Sequence, residues 1–193
     1  MWLRVRLPCC YLPIWGPSVI EAGGTAMRNI LRTVLIGLVL TISGGVVLAG
    51  PFEDGIAAIG KGDYATALRL LRPLAEQGDA KAQISLGAMY AGGQGVAQDY
   101  REAVKWYRSA AEQGIASAQI VLGGMYADGR GVAQDYLRAH MWFNLAALKL
   151  SGDAAKWATE NRDRIAKSLT PAQVVQAQEM AKRCEQSYYK GCD

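Results

Sequence analysis

The chain is predicted to be all-α, a solenoid of about four helical hairpins, on three observations. Residues 82–113 recur at 118–149, a shift of 36, with 19 of 32 positions identical. Within each copy apolar residues return every third or fourth position, the period of a helix with one buried face. No stretch of 50–193 shows a strand pattern. A lone helix pair cannot bury its apolar face, so pairs must stack. Composition excludes other classes. A chain that is 51% hydrophobic and carries only +4 net charge is not disordered, and no Gly-x-y period supports collagen.

The register extends backwards. Asp63-Tyr64, Ala67, Leu70-Leu71 and Leu74-Ala75-Glu76-Gln77-Gly78 fall 36 before Asp99-Tyr100, Ala103, Trp106-Tyr107 and Ala110-Ala111-Glu112-Gln113-Gly114. The units therefore run about 51–79, 80–115 and 116–153, with capping helices in 154–190. In the first unit Pro73 stands where Ser109 does and predicts a kink in that helix. The first helix of the next two units spans 80–91 and 116–127, with Ala82, Leu86 and Tyr90 on one face. Gly93 and Gly129 end these helices, because glycine takes positive φ at little cost. Asp99 and Asp135 are N-caps of the second helices, and Glu102 follows Asp99 at capping-box spacing. Ala103, Trp106, Tyr107, Ala110 and Ala111 carry the apolar face. Alanines with Gly87 or Gly123 allow close approach, while Trp106 and Trp142 fill the space between pairs. A further helix spans 153–168. Thr170 then caps the last one, with Pro171 at its first position and Gln173 at its third, continuing to about Tyr188.

Residues 1–49 stand apart from the repeat. Arg28 and Arg32 precede an apolar run over 33–42, and Val47 and Ala49 supply small residues at −3 and −1, the pattern of a cleaved secretory signal over 27–49. An uncleaved anchor is the alternative, although a membrane span needs about 20 apolar residues and Gly37, Gly44 and Gly45 interrupt this one. A lipid anchor would need a Cys where Gly50 and Pro51 stand. Residues 1–26 show no helical or strand period; they are expected to be an over-called start upstream of Met27, the other reading being a genuine extension. Without 1–49, Arg4, Arg6, Arg28, Arg32 and Glu21 go, leaving 17 basic against 16 acidic side chains. No basic stripe remains for nucleic acid.

The repeat Ala-x-x-x-Leu-Gly-x-Met-Tyr-x-x-Gly-x-Gly-Val-x-x-Asp-Tyr-x-x-Ala-x-x-Trp-Tyr-x-x-Ala-Ala resembles the Sel-one-like repeat, a variant of the tetratricopeptide repeat. The resemblance is strong over 80–149. It implies a right-handed α/α superhelix and a non-catalytic adaptor that contacts another protein or peptide. In such solenoids the first helices line a concave face, which here offers Gln83, Ser85, Ala88, Gly92, Gln119, Val121, Gly124 and Asp128. These are small and mostly neutral, suited to an extended peptide or a partner helix. The third unit departs from the pattern at Leu148-Lys149-Leu150.

Chemistry is sparse elsewhere. In an exported protein Cys184 and Cys192 read as a disulfide closing a loop through Ser187, Tyr188, Tyr189 and Gly191. His140, the only histidine, aligns with Val104 and is expected at the surface, without the nucleophile and orienter a catalytic base requires. No metal or cofactor set is implied. Gly92-Gly93-Gln94-Gly95 lacks the Lys-Ser/Thr ending and preceding strand of a phosphate loop, and it recurs as Asp128-Gly129-Arg130-Gly131, a turn of the repeat with Gln94 and Arg130 as free side chains. Glu53-Asp54 and Glu160-Asp163 read as solvated. Two further readings remain: a secreted hydrolase of the β-lactamase-like cysteine-rich repeat type, whose per-repeat disulfides are missing here, and a membrane-tethered assembly factor with 33–49 retained.

Overall fold

The computed structural model describes residues 50–192. The expected signal segment, the start at Met27 and the extension with Cys9 and Cys10 lie outside the described residues. Eight helices are described: α1 Pro51–Gly60, α2 Tyr64–Glu76, α3 Ala80–Gly92, α4 Tyr100–Ala111, α5 Ala116–Asp128, α6 Tyr136–Lys149, α7 Gly152–Ala166 and α8 Pro171–Gln186. No strand occurs among the described residues. Consecutive helices from α1 to α7 pack on one another, which is the expected solenoid. The last element differs: α8 packs on α6, so α6 is enclosed by α5, α7 and α8.

The helix starts follow capping chemistry. Asp63, Asp79, Asp99 and Asp135 each accept a backbone N–H of the first turn, satisfying donors that have no intrahelical partner. Thr170 and Gln173 form the reciprocal capping box expected for α8. Glu102 does not complete one with Asp99; its carboxylate pairs with Lys105 instead. Helix α2 runs through Pro73 to Glu76. The proline is exposed and sits in the last turn, where little helix remains to be redirected.

Small residues set the packing distances. Ala67, Ala82, Ala103, Ala110, Ala118, Ala139 and Ala146 are fully buried. A Cβ at Gly87 would lie 3.2 Å from the Tyr107 ring, and one at Gly123 would lie 3.3 Å from Ala139 O and the Phe143 ring. These two glycines let each unit's own helices close. Trp142, at 0% exposure, fills the core as expected; Trp106 is half-buried and packs against the N-terminal cluster of Ala58, Leu71, Leu86 and Met89. Tyr90 packs against both this cluster and the larger C-terminal one.

The loop glycines join unit to unit. Gly93 (φ 67°) and Gly129 (φ 70°) are the left-handed C-caps of α3 and α5. Gly131 has a different constraint: a Cβ there would lie 2.2 Å from Tyr100 O. The loop of one unit thus rests on the start of the previous unit's second helix. Gln94 and Arg130 are not free as expected: Gln94 Nε2 lies 3.5 Å from Tyr64 Oη, and Arg130 Nε donates to Asp128 at 3.1 Å.

Polar contacts repeat with the same period. Arg72 donates to Tyr90 Oη (3.0 Å) and Arg108 to Tyr126 Oη (2.8 Å). One step further the donor changes sides, and Arg162 donates to Asn144 Oδ1 at 3.3 Å. Gln113 Nε2 donates to Gly78 O and to Gln83 Oε1. Lys149 takes the place of Gln113 in the next unit and donates to Gly114 O at 2.9 Å. Its ammonium lies 4.0 Å from the Tyr189 ring centroid, and Gln119 Oε1 is left buried without a hydrogen-bond partner.

Cys184 and Cys192 are joined in a disulfide, Cα–Cα 5.0 Å. The loop holds Tyr188 and Tyr189 at φ 54° and 63°, a conformation that side chains bearing a Cβ rarely adopt. Tyr188 points outward at 82% exposure, while Tyr189 turns back onto Lys149.

Candidate interaction face

The first helices of successive units, α3, α5 and α7, present equivalent positions 36 residues apart. Ser85, Val121 and Trp157 form one series; Ala88, Gly124 and Glu160 a second; Gly92, Asp128 and Arg164 a third. All nine are partly or fully exposed, because Leu86 and Met89, and likewise Leu122 and Met125, take the inward side.

The expected binding residues divide. Ala88, Val121 and Asp128 are exposed and Ser85 is half-buried, its hydroxyl donating to Lys81 O. Gln83 and Gln119 do not lie on the surface, being 5% and 0% exposed. Gln83 donates to Ala75 O at 3.1 Å and Gln119 to Ala111 O at 3.2 Å. Both carbonyls belong to the last turns of the preceding second helices, where backbone acceptors lack intrahelical donors. These glutamines are inter-unit ties.

Between α3, α5 and α7 lies a cleft of about 240 Å³. It is lined by Ala91, by Tyr100 and Tyr107 of α4, by Ile120, Val121, Gly124 and Met125 of α5, and by Arg130 and Trp157. Tyr107 and Met125 are buried, while Val121, Arg130 and Trp157 are exposed. The Trp157 ring meets Phe143 edge-on, with centroids 6.0 Å apart and planes at 69°, a favoured aromatic arrangement. Supported in this way, it still leaves 48% of its surface exposed. The sequence places Trp157 only within the capping helices; its position 36 after Val121 is the signal that marks it as a surface position of the same series.

Two acidic side chains of this face are paired locally, and Arg164 is held by an amide. Asp128 pairs with Arg130, Lys156 with Glu160 at 4.0 Å, and Arg164 donates to Asn161. A wider groove of about 530 Å³ lies beside Tyr126, Gln134 and Arg138. Its polar groups serve the fold: Arg108 holds Tyr126, Gln134 donates to Ala127 O, and Arg138 pairs with Asp135.

His140 is 1% exposed, not a surface residue. Its counterpart Val104 is buried as well, so the position faces inward in both units. Burial pushes the imidazole below its ordinary value of 6.5; Arg162 adds to this and Asp163 opposes it. Nδ1 has no hydrogen-bond partner. Among the described residues no group of three His, Cys, Asp or Glu could hold a metal ion, and no helix is long and apolar enough to cross a membrane.

Stacked helix pairs with a face built from their first helices define a helical-repeat solenoid. The Sel1 repeat model matches residues 48–79, 80–115 and 116–149. The chain belongs to the Sel1 repeat family, whose repeats generally mediate protein–protein interaction. The chain is similar to c5321, a protective antigen present in uropathogenic Escherichia coli strains displaying an SLR fold, at 29% identity and TM-score 0.60. That similarity covers 88% of this chain and 32% of c5321, so the chain spans about a third of that protein's length. It is also similar to a Sel1 repeat protein from Oxalobacter formigenes, at 31% identity and TM-score 0.51, over 70% of this chain and 98% of that one. No curated protein matches the sequence.

Proposed function

We propose that the protein is an exported, non-catalytic scaffold that binds another protein or peptide through the face formed by α3, α5 and α7. The observation that carries this reading is the exposed series Ser85, Val121 and Trp157, which grows more apolar along the stack. Adjoining apolar side chains held at a surface mark contact sites, and Val121 and Trp157 line one cleft. The family supports a scaffold. The disulfide suits an oxidising compartment, as does the similarity to a protein described as a protective antigen. The leader pattern of 27–49 points the same way, with a mature chain beginning near Gly50.

A photo-crosslinking amino acid at Val121 or Ala88 tests the face. Discrete adducts in the cell envelope are expected from both positions and not from Lys105 on α4. Equal adducts from Lys105, or none from any position, would refute the assignment. N-terminal sequencing of the mature protein tests export: a chain still beginning well upstream of Gly50 contradicts a cleaved leader.

A further inference from the structure

We propose that the cleft beside Gly124 is an anchor pocket for one bulky apolar side chain of an extended partner peptide, flanked in that peptide by uncharged residues. The proposal rests on the reading of this face as the binding surface and names what the face selects. Size is the first argument. At about 240 Å³ the cleft falls below the ~300–1,000 Å³ of clefts that enclose whole small molecules. It suits a single side chain. Its lining is the second argument: it is mostly apolar, with Ile120, Val121, Met125 and Trp157 among the lining residues, and Val121 and Trp157 remain exposed. Aromatic residues that pack firmly on one side and stay open on the other are typical binding anchors.

Gly124 is the third and independent argument. A Cβ at Gly87 or Gly123 meets a neighbouring ring, but a Cβ at Gly124 meets nothing within 4 Å. The backbone there is ordinary α-helix, and the equivalent residue of the previous unit is Ala88. A mid-helix glycine that no packing requires lowers helix stability. Here it leaves the cleft open where a side chain would close it. Charge selects the occupant. Arg130, the charged residue that lines the cleft, is already joined to Asp128, so a charged anchor would find no uncompensated partner within the cleft and would lose its hydration.

The test uses the purified full chain and a displayed library of random ten-residue peptides. Enriched sequences should share one Trp, Phe, Leu or Met without an adjacent charge. Synthetic copies should bind Gly124→Leu and Trp157→Ala at least tenfold more weakly, while Gly124→Leu melts no lower than the parent. Peptides that bind Gly124→Leu within twofold, or that share a charged anchor, overturn the proposal. So does enrichment of nothing, or dimerisation of the chain that Gly124→Leu abolishes. If binding survives Gly124→Leu but is lost in Ala88→Arg, the anchor fails and the wider face stands. If neither substitution matters, both readings fail.

Discussion

Gly123 and Gly124 are neighbours on α5 and are glycine for opposite reasons. The first has little room for a methyl group, which would lie 3.3 Å from Ala139 O and the Phe143 ring and require them to yield by a few tenths of an ångström. The second has open space. Gly124→Ala should therefore stabilise the fold by about 0.5–1 kcal/mol, the helix-propensity gain. Gly131→Ala should cost roughly 2–3 kcal/mol, since positive φ and a 2.2 Å approach to Tyr100 O act together. Denaturant titration of the two variants should show opposite signs. A third prediction concerns His140. Its neutral form is favoured by burial, so the unfolded chain binds more protons once pH drops below about 6.5. Stability present above that pH should decline as pH falls. His140→Val, which copies Val104, should flatten the decline measured between pH 7 and 5. The repeat register carried this burial already, because Val104 occupies the same inward position; the imidazole's polarity masked it.

Helix starts obey local chemistry and were therefore readable before the structure. Asp99, Asp135 and Thr170 accept first-turn amides as their positions predict. Asp135→Ala should cost about 1–2 kcal/mol, because it removes the cap of the most enclosed helix; a thermal melt read beside Asp99→Ala is the check. Buried amides were less legible. Gln83 and Gln119 are the same residue 36 apart, with Ala155 at the next equivalent position, and their polarity makes them look like surface residues in a small-residue helix. Only three-dimensional stacking brings them under the carbonyls of Ala75 and Ala111. Glu102 was misread for a similar reason: Lys105, one turn away, competes for its carboxylate.

For the molecule as a whole, periodicity predicts the all-helical stack, since 36-residue identity reflects neighbour-on-neighbour packing. The closing end was beyond it. Once the consensus fades after Leu150, nothing in the sequence says that α8 returns to α6, a contact across many intervening residues. The Cys184–Cys192 loop carries Tyr189, whose ring meets Lys149 of α6. Replacing both cysteines with serine should lower stability by about 2–3 kcal/mol, as expected for a loop of this length. Loss of the Tyr189 contact to Lys149 should accompany it, visible as increased protease sensitivity near 187–192.

The Arg72–Tyr90 and Arg108–Tyr126 bonds have one polarity, and Arg162–Asn144 has the other. This reversal governs how the chain can grow. A duplicate of residues 80–115 inserted after Ile115 would find a matching donor and acceptor at both new seams. The same segment inserted after Lys149 would set Arg108 against Arg162, two donors with no acceptor between them. An internal repeat can thus be copied with its seams intact, whereas a copy placed before the final joint breaks one.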